Sequence, residues 1–246
     1  MKIFSMLGVI AIAAAACGAE PNQYVGGKVE LNNGIRVIVG SGARISSPAL
    51  EINPAKVYQI SGKFKASQPG SGWVCFGLVP YDAGKQQIIP AYVNVVPGSD
   101  TTLAAEAKAG DRQITVKDAS RWKNAPHRYV AFNTKADLSD LPNRGIIEIA
   151  SIEGNVVRLK SPLAASKAAG AAVRQHKSGD FYIYTAAAYA PVAADKWTEF
   201  NGRISDVKPF GLSRDTFWKG TRYVAVVIVT NLQNVQFKDI DLDEID

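Results

Sequence analysis

The sequence predicts an all-β protein, a sandwich or barrel carrying a small inserted β-domain. Three observations support this. Helical periodicity is nearly absent. Short runs rich in valine, isoleucine and aromatic residues recur between clusters of Gly, Pro, Asn and Asp, the mark of many strands joined by tight turns. The stretch from Ser99 to His176 has a composition of its own, and the segments on either side of it read on from one another.

Taken in order, KVEL and IRVIVG form the first candidate hairpin, joined at Asn32-Asn33-Gly34, where Asn and Gly suit positive φ. VYQISGKFKA alternates apolar and polar residues, as a half-buried strand does. WVCFGLVPY follows, then the loop Tyr81-Asp82-Ala83-Gly84-Lys85 with its glycine in a left-handed position, then AYVNVV as a further strand. The insert reads as QITVKD, a charged loop with Trp122, RYVAFN, then IIEIASI and NVVRLK turning at Glu153-Gly154-Asn155, and a closing AAVRQ. Leu163–Ala172 is rich in alanine, but Pro162 precedes it and Gly170 interrupts it, so it reads as a loop or a single helical turn. FYIYTAA, WTEFNGRI, YVAVVIVTN and VQFKDIDL complete the strands. The predicted organisation is residues 1–16 as an export signal, 17–98 and 177–246 as the sandwich, and 99–176 as the inserted β-module.

The first residues are an address. Lys2 precedes an uninterrupted apolar and small-residue run from Ile3 to Ala16, too short for a membrane span and followed by Glu20-Pro21-Asn22. Two cleavage readings stay open. Ala14-Ala15-Ala16-Cys17 resembles the lipobox of bacterial lipoproteins, with alanine where leucine is usual, and would make Cys17 a lipidated N-terminus. Cys17-Gly18-Ala19 offers small residues for ordinary signal-peptidase cleavage before Glu20. Either way the chain is expected to leave the cytoplasm, lipid-anchored at the bacterial cell envelope or else secreted or periplasmic. Its only link to a membrane is that anchor.

The chain has 246 residues, 47% hydrophobic and 20% charged, with 28 Lys and Arg against 22 Asp and Glu. The positive excess is spread along the chain without a basic stripe, which argues against nucleic-acid binding and leaves a polyanionic glycan compatible. Cys17 and Cys75 are the two cysteines, and Cys75 sits in the strand-like GWVCFGLV as a small buried apolar residue. His127 and His176 stand far apart, no serine sits in a strained turn beside a base, and no glycine-rich phosphate loop is present. No catalytic constellation is therefore predicted.

With the strands placed, Tyr58-Gln59-Ile60-Ser61-Gly62, Tyr81-Asp82, Trp197-Thr198-Glu199-Phe200 and Phe237-Lys238-Asp239-Ile240-Asp241-Leu242 resemble, in order and spacing, the galactose-binding-like jelly rolls of the family 4/9 carbohydrate-binding modules. The resemblance covers about residues 25–98 and 178–246. The insert resembles small β-modules of bacterial and phage surface proteins. The first resemblance implies an all-β jelly-roll β-sandwich that binds a glycan or polysaccharide without catalysis. It also implies a structural calcium using Asp239 of the closing strand, with Glu30 or Glu51 in place of the missing Gly-x-Phe-Glu motif; no other cofactor is implied.

Glycan recognition needs flat rings for the apolar face of a pyranose and polar groups for its hydroxyls. In DFYIYTAAAY, Tyr182 and Tyr184 alternate on one strand face, opposite a core face of Phe181, Ile183 and Thr185. Tyr92 and Asn94 alternate in AYVNVV and would share that surface if the two strands pair. Trp73 at the mouth of its strand and Trp218 in a loop are further candidate ligand rings. Packing competes with ligand binding at each of the six. Two other functions stay open: a structural or adhesive surface protein with a protein partner, and a carbohydrate-active hydrolase, which would need two opposed carboxylates across a cleft.

Overall fold

Strand β5 (Val57–Ala66) shows how the sandwich forms. Tyr58, Ile60, Gly62, Phe64 and Ala66 are buried, while Val57, Gln59, Ser61, Lys63 and Lys65 look outward, the period-two pattern of a strand with one covered face. In this computed structural model, which describes residues 23–245, β5 is the fourth strand of a five-stranded antiparallel sheet. Its order is β1 (Lys28–Asn32), β2 (Ile35–Val39), β16 (Val235–Ile245), β5, β14 (Thr198–Ile204). The second sheet runs β13 (Ile183–Pro191), β6 (Trp73–Tyr81), β15 (Tyr223–Thr230), β3 (Arg44–Ser46), and β4 (Leu50–Glu51) also pairs with β15.

The chain crosses repeatedly between the two sheets. β2, β5, β14 and β16 lie in the first and β3, β6, β13 and β15 in the second, with β16 returning between β2 and β5 and β15 between β3 and β6. Eight strands so wound make a jelly roll. The sheets share an apolar core in which the rings of Phe64 and Phe76 meet edge to face at 4.9 Å.

Strand β16 keeps its apolar residues inward through a bulge. Its register against β5 shifts between Lys238 and Asp241, and Asp239 takes φ 51°. The extra residue moves the buried positions from Val235 and Phe237 to Ile240 and Leu242, so both ends of a long strand face one core. The β1–β2 hairpin turns at Asn33 and Gly34, both at positive φ, the primed turn that matches strand twist.

Between β6 and β13 the chain builds a third sheet of six strands: β7 (Thr101–Thr102), β12 (Ala172–Lys177), β9 (Arg128–Phe132), β10 (Ile146–Glu153), β11 (Val156–Leu159), β8 (Gln113–Thr115). It has its own core, formed by residues such as Leu103, Val116, Trp122, Val130, Ile149 and Val173. The fold is thus an all-β jelly-roll sandwich with an inserted β-domain. Two compact units divide the chain. One comprises the segment ending at Leu78 with Tyr184–Ser205 and Val224–Asp246; the other comprises Val79–Ile183 and Asp206–Tyr223.

Three local expectations change. AYVNVV is not a strand: Pro90–Val93 form a helical turn, α1, which Pro90 starts at a position needing no N–H, and Val95 alone bridges to His176. In the loop after β6 it is Lys85, at φ 57°, and not Gly84 that is left-handed, because Asp82 Oδ1 accepts the N–H groups of Gly84 and Gln86 at 2.9 Å each. Phe181 is not in the core: β13 begins only at Ile183, so its alternation does not extend back to Phe181, which is 63% exposed.

Candidate ligand-binding surface

Trp73 opens β6 with its backbone clamped. Its N–H donates to Asn231 Oδ1 at 2.7 Å, and its carbonyl accepts the Thr230 hydroxyl at 2.9 Å. The half-buried indole meets Tyr189 of β13 edge to face, centroids 4.9 Å apart, and the Tyr184 ring also meets Tyr189 edge to face, at 6.3 Å. Tyr184 is buried and Tyr189 is 56% exposed, so two inner rings support an outer one.

Tyr189 is held there by an unusual backbone. Its φ is 54°, the left-handed region that a bulky side chain avoids, and its N–H points at the Cys75 sulfur, 3.1 Å away. Such conformations cost about 1–3 kcal/mol and gather at functional sites. The fixed ring can lie against the apolar face of a flat ligand, and Asn231 Nδ2 beside it can donate to a hydroxyl, since Oδ1 already serves Trp73. Sequence reasoning picked Trp73 and Tyr184 and missed Tyr189. The alternation of Tyr182 and Tyr184 drew attention to that strand's start, and nothing local announces the left-handed turn at its far end.

The other sequence candidates are placed differently. Tyr182 is 8% exposed and Trp218 fully buried, the indole N–H donating to the Ser213 carbonyl at 3.3 Å. With Asp180, Leu212 and Arg214 they line a cleft of about 150 Å³. The enclosed Trp218 is therefore not a loop-borne ligand ring, and Tyr182 and Tyr184 offer no open face: the strand is covered on both sides, with Ile183 at 0% on the other. Asn94 is buried, caps α1 and donates to the Ser178 carbonyl at 3.0 Å. Tyr92 packs under the Arg144 guanidinium, 4.8 Å from ring centroid to cation. Neither shares a strand face with the tyrosines. Cys75 is buried, as expected.

Asp239 is in the β16 bulge with its carboxylate on Lys63 Nζ at 3.0 Å. Glu30 is bonded to Lys28. Among the described residues no three His, Cys, Asp or Glu side chains converge. Asp243, on the same face of β16, has its carboxyl pushed up by burial and then by Asp241. Cys17 and the export run lie outside the described residues. Of the two histidines, His127 is exposed; His176 is enclosed in the insert, with Nδ1 at 2.7 Å from the Ala91 carbonyl and Nε2 accepting from Arg174 Nε at 3.2 Å.

No family model matches the chain, and no curated protein is similar to it in sequence. Among solved structures it is similar to the CBM22-1 xylan-binding domain of Paenibacillus barcinonensis Xyn10C, at 7% identity and a TM-score of 0.39 over 96% of this chain and 95% of that one. A second is the N-terminal endo-1,4-beta-D-xylanase 10B of Clostridium thermocellum, its CBM22-1 and GH10 modules complexed with xylohexaose, at 9% identity and a TM-score of 0.39; the match covers 96% of this chain and 28% of that one. A third is a CBM4 structure, at 7% identity and a TM-score of 0.35 over 94% and 93% of the two chains. The jelly-roll assignment rests on the strand order described above.

Proposed function

We propose that the protein binds a polysaccharide without acting on it, through ring stacking on the exposed face of Tyr189, with Trp73 and Tyr184 as its support and Asn231 as a hydrogen-bond donor. One observation carries this reading: a tyrosine in a costly left-handed conformation presents its ring to solvent, braced by two further rings. A rigid aromatic face is what a pyranose ring stacks on, and little entropy is lost in using one already fixed. The apolar run Ile3–Ala16 supports an exported chain, and Ala14-Ala15-Ala16-Cys17 supports a lipid anchor on Cys17 at the cell surface.

Affinity electrophoresis tests it. The protein is run through gels containing xylan, a mixed-linkage glucan or galactan. Slowed migration in at least one gel, abolished by Tyr189→Ala and by Trp73→Ala with the circular dichroism spectrum unchanged, supports the reading. Equal mobility in every gel, or slowed migration that both variants keep, refutes it.

A further inference from the structure

A second surface, built wholly from the insert and the residues just after it, has a different chemistry. His127, Arg128, Tyr129, Ser178 and Phe181 line an open groove of about 440 Å³. Phe181, at 63% exposure, is the largest apolar side chain there and contributes to no core.

Arg128, which lines the groove, and Lys177, its neighbour across the strand pair, are placed at some cost. Arg128 of β9 and Lys177 of β12 stand directly opposite in the antiparallel register, so both side chains project from one face. Like charges facing each other across a strand pair repel, and no ion pair to an acid relieves either one among the described residues. The Arg128 Nε–H is moreover buried without a hydrogen-bond partner. Buried donors are almost always satisfied, and a charged one left open is among the costlier exceptions. The nearby acid, Glu148, is occupied: Lys160 Nζ is 2.7 Å from its Oε1, and His127 Nδ1 faces the same oxygen at 3.7 Å.

We infer that this groove binds a carboxylate-bearing sugar of an acidic polysaccharide, with Arg128 and Lys177 meeting the carboxylate and Phe181 covering an apolar ring face. An anion between the two cations turns their repulsion into shared attraction, and guanidinium is the side chain suited to a planar carboxylate. The aromatic ring selects a uronate ring over an acidic peptide, because a peptide carboxylate sits on a flexible stem with no flat face to stack. The groove is independent of the Tyr189 surface. Nothing in it requires that surface to bind anything.

The experiment uses the full-length protein carrying Trp73→Ala and Tyr189→Ala, so that the first surface is silent. Calorimetric titration with oligogalacturonate is compared with neutral galacto-oligosaccharide of the same length and with poly-glutamate. Binding of oligogalacturonate alone is expected, weakened about tenfold or more by Lys177→Gln and by Arg128→Gln and about fivefold by Phe181→Ala. Lys177 and Phe181 reach solvent, so their variants keep the test valid if Arg128→Gln unfolds. The inference is overturned by no binding of oligogalacturonate, by binding that Lys177→Gln and Phe181→Ala leave intact, or by equal binding of poly-glutamate.

Discussion

Nη2 of Arg174 lies 2.7 Å from Oδ2 of Asp140, the guanidinium fully enclosed and the carboxylate 6% exposed. Arg174 also donates to the Lys135 carbonyl at 3.3 Å, and Asp140 accepts from the Lys135 N–H and Asn143 Nδ2 at 3.0 and 2.9 Å. A second carboxylate, Asp100, meets Nη1 of Arg174 at 3.4 Å, but it is 54% exposed, so Asp140 is the buried partner that makes so deep a cation tolerable. Asp140→Ala is expected to cost about 3 kcal/mol, because it leaves a buried charge with only the exposed, longer pair to Asp100. Arg174→Met should cost less, since the remaining carboxylate keeps two donors. Urea unfolding of the two variants gives the order, and a greater loss for Arg174→Met would contradict it.

His176 makes the insert sensitive to mild acid. Burial is the main cause that pushes its imidazole from 6.5 down to about 4, and the neighbouring Arg174 adds to this; the Ala91 carbonyl and Asp140 oppose it. The Arg174 donor on Nε2 places the single ring proton on Nδ1, which donates to Ala91. The folded state therefore prefers the neutral ring. Its contribution is complete above about pH 6.5, declines as pH falls towards 4, and amounts to roughly 3 kcal/mol across that window. Thermal melts between pH 7 and 5.5, where ordinary carboxylates stay largely ionised, should drop more steeply for the native chain than for His176→Asn. Parallel profiles would exclude the histidine as the cause.

Gly202 permits the two sheets of the sandwich to close at one edge. A methyl group there would lie 2.5 Å from the Thr185 carbonyl carbon and 2.6 Å from its oxygen, backbone atoms that cannot rotate away. Gly202→Ala should destabilise the protein by about 1–3 kcal/mol as overpacking does. Gly70→Ala is the control, since an added carbon meets nothing within 4 Å and the backbone is not left-handed. Equal melting temperatures for the two variants would remove this account.

At Tyr189 stability and binding should separate. Asn tolerates the left-handed region better than Ala does, so Tyr189→Asn is expected to be more stable than Tyr189→Ala by several tenths of a kcal/mol to about 1 kcal/mol. Both should lose polysaccharide affinity alike, because neither carries a ring. An Asn variant that still binds would show that the ring is not the contact.

Much of the jelly roll was legible because its signals are local. The alternation in VYQISGKFKA, the Asn33-Gly34 turn and the Gly154 turn each act within a few residues, and they produce β5 and the β1–β2 and β10–β11 hairpins. AYVNVV misled for the same reason: an apolar, β-branched run has strand propensity, but Pro90 sets the helical angle and Asn94 finds its partner at Ser178, far along the chain. The candidate rings were legible only as residue types. Tyr182 and Trp218 are enclosed by residues brought from 180 and from 212–214, which no spacing reveals.

Composition and period alone determined that this chain is all-β, that its strands wrap an apolar core, and that a guest module interrupts them, since burial of alternating side chains is decided strand by strand. Tertiary structure decided which rings reach solvent. Exposure depends on what packs over a face from elsewhere in the chain: it closed over Tyr182, Tyr184 and Trp218, bent the backbone to hold Tyr189 outward, and left Phe181 on a groove with Arg128, which no acid pairs among the described residues.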